Sequence, residues 1–275
     1  MKTSRDNPDS LQAARRESFR NLRILALLIV LLLVALAAWR DRVHSTTWRV
    51  PLYVAIYPIA ADDSAKTAGY VGSLAAARFN AIDRFFAGEA RRYGIELETP
   101  VKTRLQPPLQ ELPPQRAADA GVLTTVVWSL RLRFWAWRAT RNATDPADIR
   151  MFVLYHDPDL SPRVPHSLGL QKGLIGVVYA FAAVHMDGGN NMVIAHEMMH
   201  TLGATDKYDP TTDAPRYPEG YGEPAQNPLY PQRTAELMGG RRMLAPGNWE
   251  QPESLDEVVI GPSSALEIHW LKHAH

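Results

Sequence analysis

The chain has 275 residues, enough for one or two globular domains with a full hydrophobic core. Hydrophobic residues make up 46% and charged residues 21%, which excludes wholesale disorder. With 30 basic and 29 acidic residues, the net charge of +1 disfavours a dedicated nucleic-acid binder, so we expect no nucleic-acid partner. The absence of cysteine excludes disulfide scaffolds, cysteine nucleophiles and thiolate-bound metals.

The first forty residues differ in character from the rest. Residues 1–23 are polar and mostly basic, whereas residues 24–39 (ILALLIVLLLVALAAW) form an apolar run without a charge or a proline. As a helix, this run is only slightly short for a bilayer of about 30 Å. Because basic residues precede it, we predict a transmembrane signal anchor with residues 1–23 in the cytoplasm and the following domain in the periplasm or outside the cell. A cleaved signal peptide is the alternative, since residues 35–37 resemble a small-x-small cleavage site.

Residues 44–275 are predicted to form one domain. In chain order, the spacing of apolar residues predicts a strand at 50–59, a helix at 70–93, a strand at 95–105 and a helix at 116–139. Two further strands are predicted at 149–155 and 174–183. A polar loop at 185–191 then leads to a helix at 192–202. Residues 209–231 contain too many prolines and glycines for regular structure, and a capping-box pattern at Ser264 predicts a final helix ending at His273. This order predicts an α/β domain with a mainly parallel, twisted sheet and a small irregular C-terminal subdomain.

The candidate catalytic and metal-binding residues lie at 196–206 (HEMMHTLGATD). On a helix, His196 and His200 share one face because they are four positions apart, so both imidazoles can bind one zinc ion. Glu197 lies beside them, where it can accept a proton from a zinc-bound water. Hydrolytic zinc sites usually have three protein ligands and leave the fourth position to water. One more ligand is therefore required.

Gly203 indicates where the third ligand comes from. A glycine three residues after the second histidine can end the helix in a left-handed conformation and reverse the chain. Asp206 would then return to the metal, and a carboxylate oxygen is an acceptable zinc ligand. Other carboxylates remain possible in its place: Glu219, Glu223, Glu236 and Asp209.

The pattern H-E-x-x-H-x-x-G-x-x-D resembles the metzincin clan of zinc metalloproteases. Most of that clan has histidine as third ligand, and aspartate in this place is similar to the snapalysin-type minority. The resemblance implies a zincin-like fold, one zinc ion per chain and a downstream Met-turn. Met238, within ELMGG, is the candidate for that turn, with Met243 as the fallback. The resemblance also implies that the strand at 174–183 is an edge strand along which extended substrate binds.

Many metzincins have a tyrosine two residues after the Met-turn methionine, where it stabilises the oxyanion. Gly240 occupies that position here. Tyr208 is the first candidate to replace the missing tyrosine, and three others are available: Tyr217, Tyr221 and Tyr230.

Together these residues predict a membrane-anchored zinc endopeptidase with Glu197 as general base and a protein or peptide as substrate. One alternative is a zinc hydrolase of a non-protein amide in the cell envelope, whose site would look the same. Another is a non-catalytic, membrane-tethered zinc-binding protein. Glu197 and the open coordination position argue against the latter, because structural zinc sites are usually closed by four protein ligands.

Overall fold

The computed structural model describes residues 21–25, 28–29, 32, 36, 47–115, 121–143, 145–165, 167–171 and 174–272. The chain divides into two compact units, Met1–Val43 and His44–His275. Most of the predicted anchor at 24–39 lies outside the described residues, as do residues 116–120 of the predicted second helix and His273. No helix among the described residues combines the length and hydrophobicity needed to cross a bilayer.

A mixed sheet forms the centre of the larger unit. Within the described residues its strands follow the order β2–β1–β3–β5–β4, with bounds β1 Leu52–Ala60, β2 Val101–Leu105, β3 Ile149–His156, β4 Leu168–Leu170 and β5 Ile175–Phe181. Strands β2, β1, β3 and β5 pair in parallel, whereas β4 runs antiparallel to β5. The predicted α/β class with a mostly parallel sheet is confirmed.

Helices cover both faces of this sheet. Their bounds are α1 Ala65–Gly72, α2 Asn80–Arg92, α3 Val122–Thr140, α4 Asp187–Leu202 and, near the C-terminus, α5 Pro262–Glu267. The crossovers between parallel strands supply α2 and α3, as expected for βαβ connections.

The two faces of the sheet carry separate hydrophobic clusters. Val54 and Ile56 of β1 belong to one cluster, which also contains Met198 of α4. Ala55 and Tyr57, which alternate with them along the strand, belong to the other cluster, which contains Trp128 of α3. Because successive strand residues point to opposite faces, α3 covers the face of the sheet opposite α4.

The C-terminal part is largely irregular, as predicted. It holds two short strand pairs, with β6 Ala235–Glu236 parallel to β9 Val258–Val259 and β7 Arg242–Ala245 antiparallel to β8 Asn248–Glu250. Residues 209–231, all of them described, form only isolated bridges. The indole of Trp48 donates to the Ile268 carbonyl at 2.7 Å and packs against Trp270, so the beginning and the end of the domain are joined.

Two elements of the structure differ in extent from their predictions. The single helix predicted at 70–93 is wrong, because α1 ends at Gly72 and the backbone is extended at Ala75 (φ −124°, ψ 150°) before a 3-10 turn leads into α2. Apolar residues on both sides of the break enter the same core, so the periodicity did not reveal it. The strand predicted at 95–105 begins only at Val101, directly after Pro100, which has no amide hydrogen for a ladder.

The polar loop predicted at 185–191 is also wrong, since α4 already begins at Asp187. Asn190 lies inside this helix and bonds both the amide and the carbonyl of Phe181, at 3.0 and 2.8 Å. Asn191 donates to the Arg78 carbonyl at 2.7 Å. These side chains are polar yet buried, because neighbouring backbone groups satisfy them.

The predictions for the last helix and for the edge strand are wrong as well. Helix α5 begins at Pro262 and ends at Glu267, and Ser264 is buried within it instead of capping it. The strand predicted at 174–183 is not an edge strand, because β5 lies between β3 and β4. The edge is formed by β4, whose three residues are too few for a recognisable alternation.

Candidate metal centre

Helix α4 places two imidazoles side by side in a fixed orientation. The Nδ1 atom of His196 lies 2.9 Å from the Leu237 carbonyl, and that of His200 lies 2.8 Å from the Ala204 carbonyl. Because a carbonyl oxygen can only accept, each Nδ1 carries the hydrogen. In the neutral imidazoles each Nε2 therefore keeps a free lone pair, the state in which histidine binds metals.

Asp206 brings a carboxylate oxygen to both Nε2 atoms. Helix α4 ends at Leu202, and Gly203 follows it with a left-handed φ of 110°, which reverses the chain. The Oδ1 atom of Asp206 then lies 3.2 Å from His196 Nε2 and 3.1 Å from His200 Nε2. Ligands held about 2.0–2.2 Å from one tetrahedral zinc ion are about 3.3 Å apart. The distances from Asp206 Oδ1 to the two imidazole nitrogens match that spacing.

The electrostatics of this group favour a positive charge between its members. Within the described part of the chain, the buried Oδ1 of Asp206 has no hydrogen-bond partner. Burial alone would raise the pKa of Asp206, but contact with the imidazoles of His196 and His200 holds it well below its usual range. Burial would lower the pKa of His196, but Asp206 and Glu197 raise it. Two lone pairs and a carboxylate therefore face one point, and the donor set fits a divalent cation.

Glu197 lies close to the two imidazoles, but no hydrogen bond from the described residues to Oε2 orients its carboxylate. Ligand atoms of His196, Glu197 and His200 all lie within 4.8 Å of one another, a group that can hold a metal ion. The Glu197 side chain is buried, and its Oε2 has no hydrogen-bond partner among the described residues. Burial raises the pKa of Glu197, and the two imidazoles oppose that shift. A carboxylate of raised pKa beside a metal position can accept and return a proton.

A cleft of about 270 Å³ opens onto the group and is lined by His196, Glu197 and Tyr208. The Tyr208 ring centroid lies 6.4 Å from that of His196. Burial, together with the Asp206 carboxylate, raises the pKa of Tyr208 to about 12, so its hydroxyl keeps its hydrogen at neutral pH. The other three candidate tyrosines do not line this cleft: Tyr217, Tyr221 and Tyr230.

Met238 occupies a tight turn whose backbone carbonyl groups bond the side chain of His196 and the amide of Lys207. The Gly239 and Gly240 amides donate to the Glu236 carbonyl at 3.0 and 2.9 Å, and Met238 is fully buried. The Leu237 carbonyl orients His196, as described above. The Met238 carbonyl accepts from the Lys207 amide at 2.9 Å, one residue beyond Asp206.

The other carboxylates considered as third ligand are engaged elsewhere or exposed. Glu236 is buried and accepts from the Gly239 amide, the Gly261 amide and the Ser264 hydroxyl at 2.7, 3.0 and 2.8 Å. Glu223 pairs with Arg233. Glu219 is exposed, and Asp209 accepts from the amides of the turn that follows it. Of the proposed third ligands, the structure brings Asp206 to the imidazoles.

Gly169 of the edge strand was not predicted to matter to the site. A Cβ atom at this position would lie 2.3 Å from the Glu197 carbonyl oxygen and 2.5 Å from the His200 Cβ. Strand β4 therefore approaches α4 more closely than any side chain allows. A lone glycine between two leucines gives no sign of this in the sequence.

Glu267 of α5 was also missed. Its carboxylate accepts from the Thr205 amide at 2.9 Å, from the Thr205 hydroxyl at 2.7 Å and from the Lys207 ammonium at 2.7 Å. Both chain neighbours of Asp206 are thus held by one side chain from the last helix. The sequence carries no signal for such a contact, because the partners are far apart along the chain.

No protein-family model matches the chain, and no curated protein is recognisably similar to it. What the fold and the site define is a mixed α/β domain with a group of side chains able to hold a metal ion. Its function is inferred from that geometry.

Proposed function

We propose that the chain is a membrane-anchored, zinc-dependent endopeptidase with a zincin-like fold, similar to the metzincins. One observation carries the proposal. Asp206 Oδ1 lies 3.2 Å from His196 Nε2 and 3.1 Å from His200 Nε2, and both Nδ1 atoms are oriented by backbone carbonyl groups. Glu197 lies beside them, and the group opens onto a cleft.

In this proposal His196, His200 and Asp206 hold the ion. When bound there, zinc supplies Lewis-acid polarisation of a carbonyl group and acidifies water. Two nitrogens and one oxygen suit zinc, although a carboxylate ligand lowers the discrimination against other divalent ions. The Gly203 reversal is what allows residues before and after the helix end to share one ion.

The remaining chemistry belongs to side chains of the chain itself. Glu197 Oε2 takes a proton from the attacking water and passes it to the leaving amine, since its raised pKa makes it a better base than an exposed glutamate. The protonated hydroxyl of Tyr208 donates to the oxygen on which negative charge develops.

The edge strand supports a polypeptide as the substrate. Among the described strands, β4 pairs only with β5, so no other strand covers its outer edge, and Gly169 of β4 packs against the backbone of Glu197. An open edge binds an extended peptide through backbone hydrogen bonds. A compact non-protein amide would make little use of such an edge, which is why an endopeptidase is the preferred function.

The test compares the full-length chain in detergent with two variants, using an unfolded protein as substrate. Glu197→Gln is expected to keep one zinc ion per chain and to lose about 10²–10⁴-fold in cleavage rate. Glu219→Gln, a change at an exposed glutamate, serves as the matched control and is expected to leave the rate unchanged. A zinc chelator is expected to abolish cleavage, and added zinc is expected to restore it.

Undiminished cleavage by Glu197→Gln would refute the general-base role. Zinc-dependent hydrolysis of a cell-wall amide without proteolysis would favour the non-protein hydrolase. One bound zinc ion with neither activity would favour the non-catalytic zinc-binding protein.

Membrane attachment through residues 24–39 is part of the proposal and has its own test. Full-length chain is expected to stay with the membrane fraction after a carbonate wash and to keep its N-terminus. Recovery of a soluble, shortened chain would instead identify a cleaved signal peptide.

A further inference from the structure

The outward face of α3 is apolar. Six large side chains of this helix are between 51 and 82% exposed: Leu123, Val126, Val127, Leu130, Phe134 and Trp137. They recur every three or four residues and therefore form one stripe, which we call the α3 stripe. The opposite side of the helix is apolar too, since Trp128, Leu132 and Trp135 are buried against the sheet. A helix that is apolar on both sides is typical of one buried on both sides.

Arginines border the α3 stripe. At 3.6 residues per turn, Arg131 and Arg138 lie on one side of the stripe and Arg133 on the other, while the exposed Arg141 follows its end. Residues 122–141 contain no acidic side chain. Arg138 also pairs with Glu111, outside the helix. Because Arg138 is paired and Arg133 is half-buried, the exposed Arg131 and Arg141 supply most of the positive charge at the border of the stripe.

We propose that the α3 stripe lies in the interface of an anionic phospholipid bilayer, so that the domain is a peripheral membrane domain in its own right. Apolar and aromatic side chains enter the boundary between headgroups and acyl chains, and bordering arginines bind anionic headgroups. Single exposed leucines need no explanation, but a continuous stripe of six does.

The charge pattern favours a bilayer over a second copy of the chain. Two copies joined through their α3 stripes would bring arginine-bordered helices together without a carboxylate in either helix, which like charges oppose. The inference concerns α3 alone and does not depend on peptidase activity.

This arrangement sets the direction in which the candidate site faces. Helix α3 and helix α4 pack on opposite faces of the sheet. With the α3 stripe on the bilayer, α4 lies on the side of the sheet away from lipid. The cleft would then act on polypeptides in the aqueous layer above the membrane.

The test exploits the absence of cysteine, because single cysteines can be labelled without background. Full-length chain carrying Leu130→Cys or Phe134→Cys, labelled with nitrobenzoxadiazole, is reconstituted into vesicles of phosphatidylcholine with or without phosphatidylglycerol. Arg84→Cys, an exposed position on α2 across the sheet, is the matched control. Emission at 130 and 134 is expected to rise at least about threefold in anionic vesicles and to be quenched by doxyl-labelled lipid, with position 84 unchanged.

Replacing Arg131 and Arg141 by glutamine is expected to remove most of the difference between the two kinds of vesicle. Labels that stay in water overturn the proposal. The proposal is also overturned if the emission rises but doxyl-labelled lipid does not quench it, because protein would then cover the stripe. Disulfide-linked dimers of unlabelled Phe134→Cys would identify a second copy as that protein. Equal quenching in neutral and anionic vesicles contradicts the role given to the arginines.

Discussion

Asp206 supplies the third ligand atom of the proposed metal site, beside the two imidazoles of α4. It follows the helix by four residues and reaches both Nε2 atoms through the reversal at Gly203. The motif spacing made this placement predictable, because a helix face and a left-handed helix end are local properties. The carbonyl groups that orient the imidazoles were not predictable in the same way, since the Leu237 carbonyl comes from a distant turn.

The Asp206→Asn change tests the third ligand directly. Asparagine keeps the size of the side chain but removes its charge, so zinc affinity is expected to fall at least about 100-fold. Competition with a chromogenic chelator measures it. Asp213→Asn, at an exposed aspartate lining the same cleft, is the control and is expected to bind zinc normally. Equal affinities in both variants would assign the third ligand elsewhere.

The pH dependence of the metal-free protein follows from the same contacts. The pKa of His196 is raised above its ordinary 6.5, so its stabilising contribution is complete below that pH and is lost as the pH rises through the raised value. The pKa of Asp206 is lowered from 3.8, so its contribution is present above 3.8 and is lost on further acidification. Thermal unfolding with chelator should therefore show greater stability at pH 6 than at pH 8.

Zinc is expected to reverse this trend, because ligand imidazoles must lose their protons before they bind. The increase in Tm caused by zinc should grow between pH 6 and pH 8. A zinc effect that is constant across this range would argue against histidine ligands.

At the scale of secondary-structure elements, the contact between β4 and α4 leaves no room for a side chain at Gly169. Gly169→Ala would place a methyl group against the Glu197 carbonyl oxygen and the His200 Cβ, and neither the strand nor the helix can yield without moving the site. We expect a loss of about 2 kcal/mol or more in the free energy of unfolding, together with weaker zinc binding.

Gly189→Ala is the matched control for that change. Gly189 lies in α4 itself, and a Cβ there would meet nothing within 4 Å. Because alanine is the better helix former, this variant is expected to gain about 0.5–1 kcal/mol. Denaturant unfolding measures the free energy of unfolding of both variants. Equal stability of the two would mean that the contact between β4 and α4 has room for a methyl group.

Long elements with regular periodicity were predictable, whereas short or interrupted ones were not. Strands β1, β3 and β5 and the end of α4 follow from hydrophobic pattern and from Gly203. The edge strand β4 has three residues, which is too short for a pattern. The start of α4 was predicted too late because Asn190 and Asn191 have the composition of a loop, although backbone groups of other elements satisfy them inside the core.

At the scale of the whole molecule, Glu267 connects the last helix with the segment around Asp206. Glu267→Ala would remove the carboxylate partner of the nearly buried Lys207 ammonium and the acceptor of the Thr205 amide. We expect a loss of about 2–4 kcal/mol in unfolding free energy and about a tenfold loss in zinc affinity.

The double variant Lys207→Met, Glu267→Leu separates the two effects. It removes both charges, so much of the stability is expected to return. Zinc affinity is expected to stay low, because Thr205 still lacks the bonds that position Asp206. Full recovery of zinc affinity in this variant would show that Glu267 acts on stability alone.

The separation of Glu267 from the two histidines along the chain has a consequence in time. During synthesis both histidines are added before Glu267, and the contacts of Trp48 likewise wait for Ile268 and Trp270. A nascent chain that has not yet reached Glu267 therefore carries both imidazoles without the contacts that hold Thr205 and Lys207 on either side of Asp206. We expect such a nascent chain to bind a metal ion more weakly than the folded domain does.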